Sequence, residues 1–413
     1  MTPPRRFSAA LIALVAIGTV IADVAVISTS GNAGHGSSRE GSTLTLVHPG
    51  RSSHSPRAHA PGRPSPAAPG TSQPQPSGPS SSGSPSTAPK RTALTDLLAG
   101  RVGFGRASVG GAGGGVVVVN NSADSGPGTL RAALATPGPR WIVFDRDMTI
   151  NTLSSLRVPS YITVDGRGHH VLITGHNHYG FELINDRDVI IENVAMRDFG
   201  LVQTSGKNDL NNEPDAIFTH NAHNVWIDHC DLSMAGDKLI QVDYGTTAVS
   251  VTWSHFHNQA QVFQIGDQKN AQVDEVQTVT VADNFFDHTG YRNPVLSYGR
   301  AHVYNNYFLD WQVFAVRSQR GAQMYLERNV FVAGSNTRAS LVKPDGNGCN
   351  DNHTRCDSTL GYINAVGNLL EHGAKLNVNE PSWVFRPSAY YTYRAQPASM
   401  HLAQVIQAEA GVR

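Results

Sequence analysis

The sequence predicts an all-β solenoid, a parallel β-helix, and three observations point to it. First, seven segments share one template: an apolar residue, a small or amide residue three places on, and a bulky apolar residue five places on. They are Ile191/Val194/Met196, Ile227/Cys230/Leu232, Val251/Ser254/Phe256, Val281/Asn284/Phe286, Val303/Asn306/Phe308, Leu326/Asn329/Phe331 and Ala365/Asn368/Leu370. Their middle residues are 36, 24, 30, 22, 23 and 39 residues apart, a recurrence of solenoid length. Second, the alternation of period two inside each segment predicts strands. Third, an asparagine recurs at one step, as in Asp283-Asn284 and Asn305-Asn306. A buried asparagine stacked on its counterpart satisfies both amide ends through the next coil and the turn backbone.

In chain order, Arg5 and Arg6 precede an apolar run from about Ala9 to Ala22, the pattern of a secretory signal. Asp23 breaks the run short of a spanning helix, and Val24 to Ile27 leaves a signal anchor as the second reading of residues 1–28. Residues 29–91 are rich in Ser, Pro and Gly and nearly lack bulky apolar side chains. Such a stretch buries too little surface to offset chain entropy and is expected to be a disordered linker. The folded domain is expected over 92–413. After Gly110 to Gly115, Val116 to Val119 begins a strand, and Gly126-Pro127-Gly128 ends it. Thr129 to Leu134 reads as a short helix capped by Thr129, placed to cover the open N-terminal end of the solenoid. Ile142 to Phe144 and Ile162 to Val164 continue as strands, Asp165 to Gly168 is a turn, and Leu402 to Ala410 has helical spacing for a cover on the outer wall. Long insertions at 197–214 and 332–360 are expected on the binding side.

Lys and Arg number 32, as do Asp and Glu, so the net charge is zero. No electrostatic case for nucleic acid arises, and no such partner is expected. Of the three cysteines, Cys349 and Cys356 are expected to form a local disulfide in an exported chain. Cys230 takes an inward stacking position and reads as a small hydrophobe. No zinc spacing exists, and His220, His223, His255 and His257 read as surface or turn residues. A capped solenoid needs no partner, so a monomer is expected.

Asn224 to Ser233 with Gly236-Asp237-Lys238-Leu239-Ile240 strongly resembles the pectate lyase family, polysaccharide lyase family 1. So do Gly126 to Arg131, Asp165 to Gly168, Tyr291-Arg292-Asn293-Pro294 and His302 to Tyr307. The resemblance runs from about residue 116 to the C-terminus. It implies a right-handed β-helix that binds an acidic plant cell-wall polysaccharide, pectate, in an outer groove and cleaves it by Ca2+-assisted β-elimination. It further implies that Asp215 and Asp237 bind calcium, with Glu213 as a further acidic ligand, and that Arg292 is the catalytic base. A guanidinium acts as a base only in a strongly positive, poorly solvated setting.

Three positions depart from the family pattern. Gln241 stands for a third calcium aspartate, Gln261 for a substrate-binding lysine and Ser297 for a second arginine. Each change removes a full charge. Asp243, one pleat beyond Gln241 on the same strand face, is placed to replace part of the missing carboxylate. Arg317, with Arg320 and Lys343, is a candidate lining of the groove. The departures leave two other readings: a carbohydrate-binding β-helix that has lost turnover and is tethered to the cell surface, and a lyase for methyl-esterified pectin that needs no calcium.

Overall fold

The computed structural model describes residues 91–200, 214–266, 271–335, 341–344 and 360–413, all within one contact unit, 81–413. Among the described residues, every strand pairing between named strands is parallel, and the strands form sheets of ten, nine and nine members. The first sheet runs from Gly115–Val119 to Tyr362–Val366, the second from Met148–Asn151 to Leu369–Glu371, and the third from Leu156–Arg157 to Lys375–Leu376. The chain visits the first, second and third sheet in turn on each coil. The result is the expected right-handed parallel β-helix.

The template residues act as the sequence suggests. Met196, Leu232, Phe256, Phe286, Phe308 and Phe331 are buried in one central core. The phenylalanine rings stack coil on coil, with centroids 4.8 Å apart for Phe256–Phe286 and Phe286–Phe308 and 4.5 Å for Phe308–Phe331. The middle residues form a continuous ladder. Asn284 Nδ2 donates to Asn306 Oδ1 at 2.9 Å, Asn306 Nδ2 to Asn329 Oδ1 at 2.9 Å, and Asn329 Nδ2 to Asn368 Oδ1 at 3.0 Å. The same oxygens accept the backbone N–H of the preceding ladder residue. Ser254 continues the pattern by accepting from Cys230 N at 3.1 Å.

Each ladder residue follows one residue in the left-handed region: Asn193, His229, Trp253, Asp283, Asn305 and Arg328, with φ between 48° and 58°, and Gly367 before Asn368, with φ 63°. That conformation costs a non-glycine residue about 1 kcal/mol or more. The ladder bonds hold it, and they bend the chain from the first sheet to the second within two residues. Cys230 sits in this stack, fully buried, and burial pushes its thiol far up.

Both expected covers exist. Leu130–Ala135 is a helix whose N-cap, Thr129, accepts from Ala132 N at 3.2 Å. Met400–Glu409 is a helix capped by Ser399, and Leu402, Ala403 and Ile406 pack on Phe285, Tyr307, Val330 and Val332 outside the second sheet. Phe104 packs with Tyr325, Phe385 and Tyr391 over the first sheet. No helix among the described residues is long and apolar enough to cross a membrane. The signal and linker readings of residues 1–90 lie outside the described residues.

Candidate functional site on the third sheet

Asp215 lies two residues before the strand Ile217–His220, and Asp237 directly precedes the next strand of the third sheet, Lys238–Asp243. Ile217 pairs with Ile240, so the same register sets Asp215 beside Lys238. The Lys238 backbone N–H donates to Asp215 Oδ1 at 2.8 Å. Its ammonium bonds to Asp237 Oδ2 and stands 3.9 Å from Asp215 Oδ1. The side chains are 8 % exposed for Lys238, 2 % for Asp215 and 13 % for Asp237. Burial pushes the Asp215 carboxyl up to about 7; the Lys238 charge opposes that rise and Asp237 adds to it. Tyr179 is pushed up to about 12 by burial and by the negative charge of Asp215, Glu182 and Asp237.

Gln241 points its amide nitrogen at Asp243 Oδ2, 2.9 Å away. Asp243 also accepts the Tyr244 backbone N–H at 2.8 Å. Gln241 is paired across the coils with Gln264, and Gln264 Oε1 accepts from Arg292 Nη1 at 2.6 Å. Arg292 has a left-handed backbone, φ 62°, and its guanidinium lies 5.4 Å from the Tyr291 ring centre. Tyr291 bridges to Gln261, which pairs with Lys238. Arg292 is therefore two coils from Lys238, roughly 10 Å by the spacing of neighbouring strands. The two aspartates meet at one lysine, and the guanidinium belongs to the same sheet further along its surface.

The remaining expected site residues are placed differently. Gln261 is buried. Ser297 is 1 % exposed and its hydroxyl accepts from Gln319 Nε2 at 2.8 Å, so it turns no polar atom outward. Arg317 packs over Phe314, 4.9 Å from the ring centre. Glu213, Cys349 and Cys356 lie outside the described residues.

A calcium ion takes six to eight oxygen ligands. The described donors do not fit one. Lys238 places a positive charge against Asp237 and Asp215, and Gln241 is engaged through its N–H with Asp243. Asp237 Oδ1 is the one buried carboxylate oxygen here that takes no hydrogen bond from the described residues. One such oxygen falls well short of a cage.

Lys238 is the residue of this cluster to which sequence reasoning gave no role. A second group it missed lies on the outer face of the second sheet. His255 Nδ1 is 3.0 Å from Asp231 Oδ2, His257 Nε2 is 3.0 Å from Asp231 Oδ1, and His255 Nε2 is 3.3 Å from Asp287 Oδ2. The signal was present: residues 255 and 257 share one face of a strand. Burial opposes it, but the bonds to Asp231 and Asp287 raise His255 to about 9. Because the folded pKa exceeds the unfolded one, this stabilisation is complete below about pH 6.5 and is lost as pH rises through about 9. We expect the melting temperature to fall between pH 6 and pH 10, and the fall to be smaller in His255→Gln. An equal fall in both proteins would refute the assignment.

The pectate lyase family model matches residues 151–413. Putative pectate lyase 21 of Arabidopsis thaliana is 34 % identical over 245 residues, covering 57 % of this chain and 62 % of that protein. Probable pectate lyase 4 of the same plant is 37 % identical over 239 residues, covering 56 % and 62 %. The chain thus spans about three-fifths of the length of these two relatives. Among solved structures, the cedar pollen allergen jun a 1 superposes with a TM-score of 0.67 at 26 % identity, covering 79 % of this chain and 97 % of that one. The pectate lyase of Bacillus sp. N165, solved in complex with trigalacturonate, superposes with a TM-score of 0.56 at 21 % identity, covering 76 % and 99 %. Fold and matches define a polysaccharide lyase class of β-helix. This chain belongs to the pectate lyase family.

Proposed function

We propose that the protein is an exported polysaccharide lyase that cleaves pectate or pectin, the acidic polymer of plant cell walls, by β-elimination at the third sheet. The observation that supports this is the arrangement of Arg292 on the same sheet surface as Asp215, Asp237 and Lys238, in a chain of this family. The trigalacturonate bound by the Bacillus relative supports a uronate oligomer as ligand.

In this reaction the C5–H bond breaks and its proton passes to a base. The electron pair forms the C4=C5 double bond, and the C4–O4 bond breaks with its pair onto the leaving oxygen, which then takes a proton. Negative charge builds beside the C6 carboxyl group, and fixed positive charge lowers the barrier. Arg292 is the proton acceptor in this reading, and it takes the C5 proton as the neutral guanidine, becoming the guanidinium. Gln264 fixes one end of its guanidinium, and the left-handed backbone at Arg292 sets its direction. Arg317 extends the cationic surface one coil further, since Val295 pairs with Arg317.

The test is to incubate the full chain with polygalacturonate and with methyl-esterified pectin and to follow the ultraviolet absorbance of the unsaturated product. Product from either polymer supports the reading; none from both, over a wide pH range, removes it. Export is proposed from Arg5, Arg6 and the apolar run that follows, and recovery of the chain only inside the producing cells would overturn it.

A further inference from the structure

We infer that the Lys238 ammonium takes the place of a divalent ion between Asp215 and Asp237, so that the site works without calcium. This rests on the lyase reading above, but its central measurement does not. The ammonium bonds to Asp237 Oδ2, stands 3.9 Å from Asp215 Oδ1, and its own backbone N–H already holds Asp215 at 2.8 Å. Two carboxylates from successive coils therefore converge on one tethered cation. A calcium ion at that point would meet a like charge at contact distance, and displacing the lysine would leave its ammonium to find other partners in a site where it is only 8 % exposed.

The neighbouring donors agree with a lysine rather than a metal. Gln241, at the position from which another oxygen ligand would come, is turned to donate to Asp243. An ammonium has three N–H donors; Asp237 takes one and Asp215, at 3.9 Å, is an ion-pair partner beyond hydrogen-bond reach, so donor capacity is left for a substrate oxygen. A covalently held charge is present at every turnover, and its supply does not depend on the ion concentration of the medium. Its electrostatic reach is that of one unit charge, half that of the ion.

The experiment has a binding arm and a turnover arm. In the binding arm, calcium is titrated by calorimetry into the full chain and into Lys238→Gly and Lys238→Gln, and melting temperatures are compared in millimolar calcium and in chelator. The native chain is expected to show no stoichiometric calcium binding and no calcium-dependent rise in melting temperature. Lys238→Gly, which frees both carboxylates, is expected to show such a rise. In the turnover arm, the native chain is expected to keep its kcat/KM in chelator, while Lys238→Gln loses roughly 100-fold in kcat with a smaller change in KM. One-to-one calcium binding by the native chain, or loss of its turnover in chelator, would overturn the inference. Should the chain turn over neither polymer, the binding arm still decides the question. Should the variants fail to fold, the native chain's response to calcium decides it alone.

Discussion

Replacing Arg292 by alanine is expected to lower turnover on the accepted polymer by roughly 100- to 10,000-fold, the range for loss of a positioned proton acceptor. The prediction follows from how firmly that side chain is held. Its Nη1 donates to Gln264 Oε1 at 2.6 Å, and its plane sits beside the Tyr291 ring. Gln264 is in turn in register with Gln241, one coil closer to Lys238. The guanidinium is therefore fixed relative to the tethered charge by backbone pairing, not by a mobile loop. Arg292→Lys keeps the charge but loses the planar fork, so it should recover only a small part of the rate. The left-handed backbone costs arginine and alanine alike, so any small drop in melting temperature comes from losing the Gln264 bond. A variant that folds and retains more than about a tenth of native turnover would exclude Arg292 as the proton acceptor.

The largest stability effect is expected at Asn306. Asn306→Leu keeps the branching at Cγ but deletes an acceptor that serves both Asn284 N and Asn284 Nδ2, and a donor that serves Asn329 Oδ1 and Val281 O. All three asparagines are fully buried, so water cannot replace the lost partners. At about 1–3 kcal/mol for each orphaned buried donor, the loss should total roughly 2–6 kcal/mol. Urea unfolding reads this as a lower midpoint with an unchanged slope. The same substitution at Asn368 is expected to cost less, because that rung is only part-buried and closes the ladder at one end. Equal losses at both positions would contradict the ladder as the source of stability.

How much of this was legible in the sequence depended on whether the signal was local. The ladder was legible because Asn284, Asn306 and Asn329 recur with the same neighbours at one step. The capping helix was legible because Thr129 and the glycines before it are consecutive, and the terminal helix because Leu402, Ala403 and Ile406 have helical spacing. Asp215, Asp237 and Arg292 were singled out as candidates through motif order. Lys238 was not, because its meaning lies in a carboxylate 23 residues earlier. The pairing of Ile217 with Ile240 creates that neighbour, and no local pattern announces a register. The burial of Ser297 was hidden for the same reason: its partner, Gln319, is 22 residues on.

The two-residue corners between the first and second sheets have a wider consequence. From Arg187–Glu192 onward every such corner has the same length, since its second residue is locked in the ladder. From the same strand onward, the long connections 198–216, 266–277 and 345–361 leave or enter the third sheet instead. In these coils length change thus falls at the two margins of the surface that holds Lys238 and Arg292. Under the proposed lyase reading, folding and recognition fall in separate sectors of these coils, so exchanging segments along those borders is expected to alter polymer preference while the interior scaffold stays untouched.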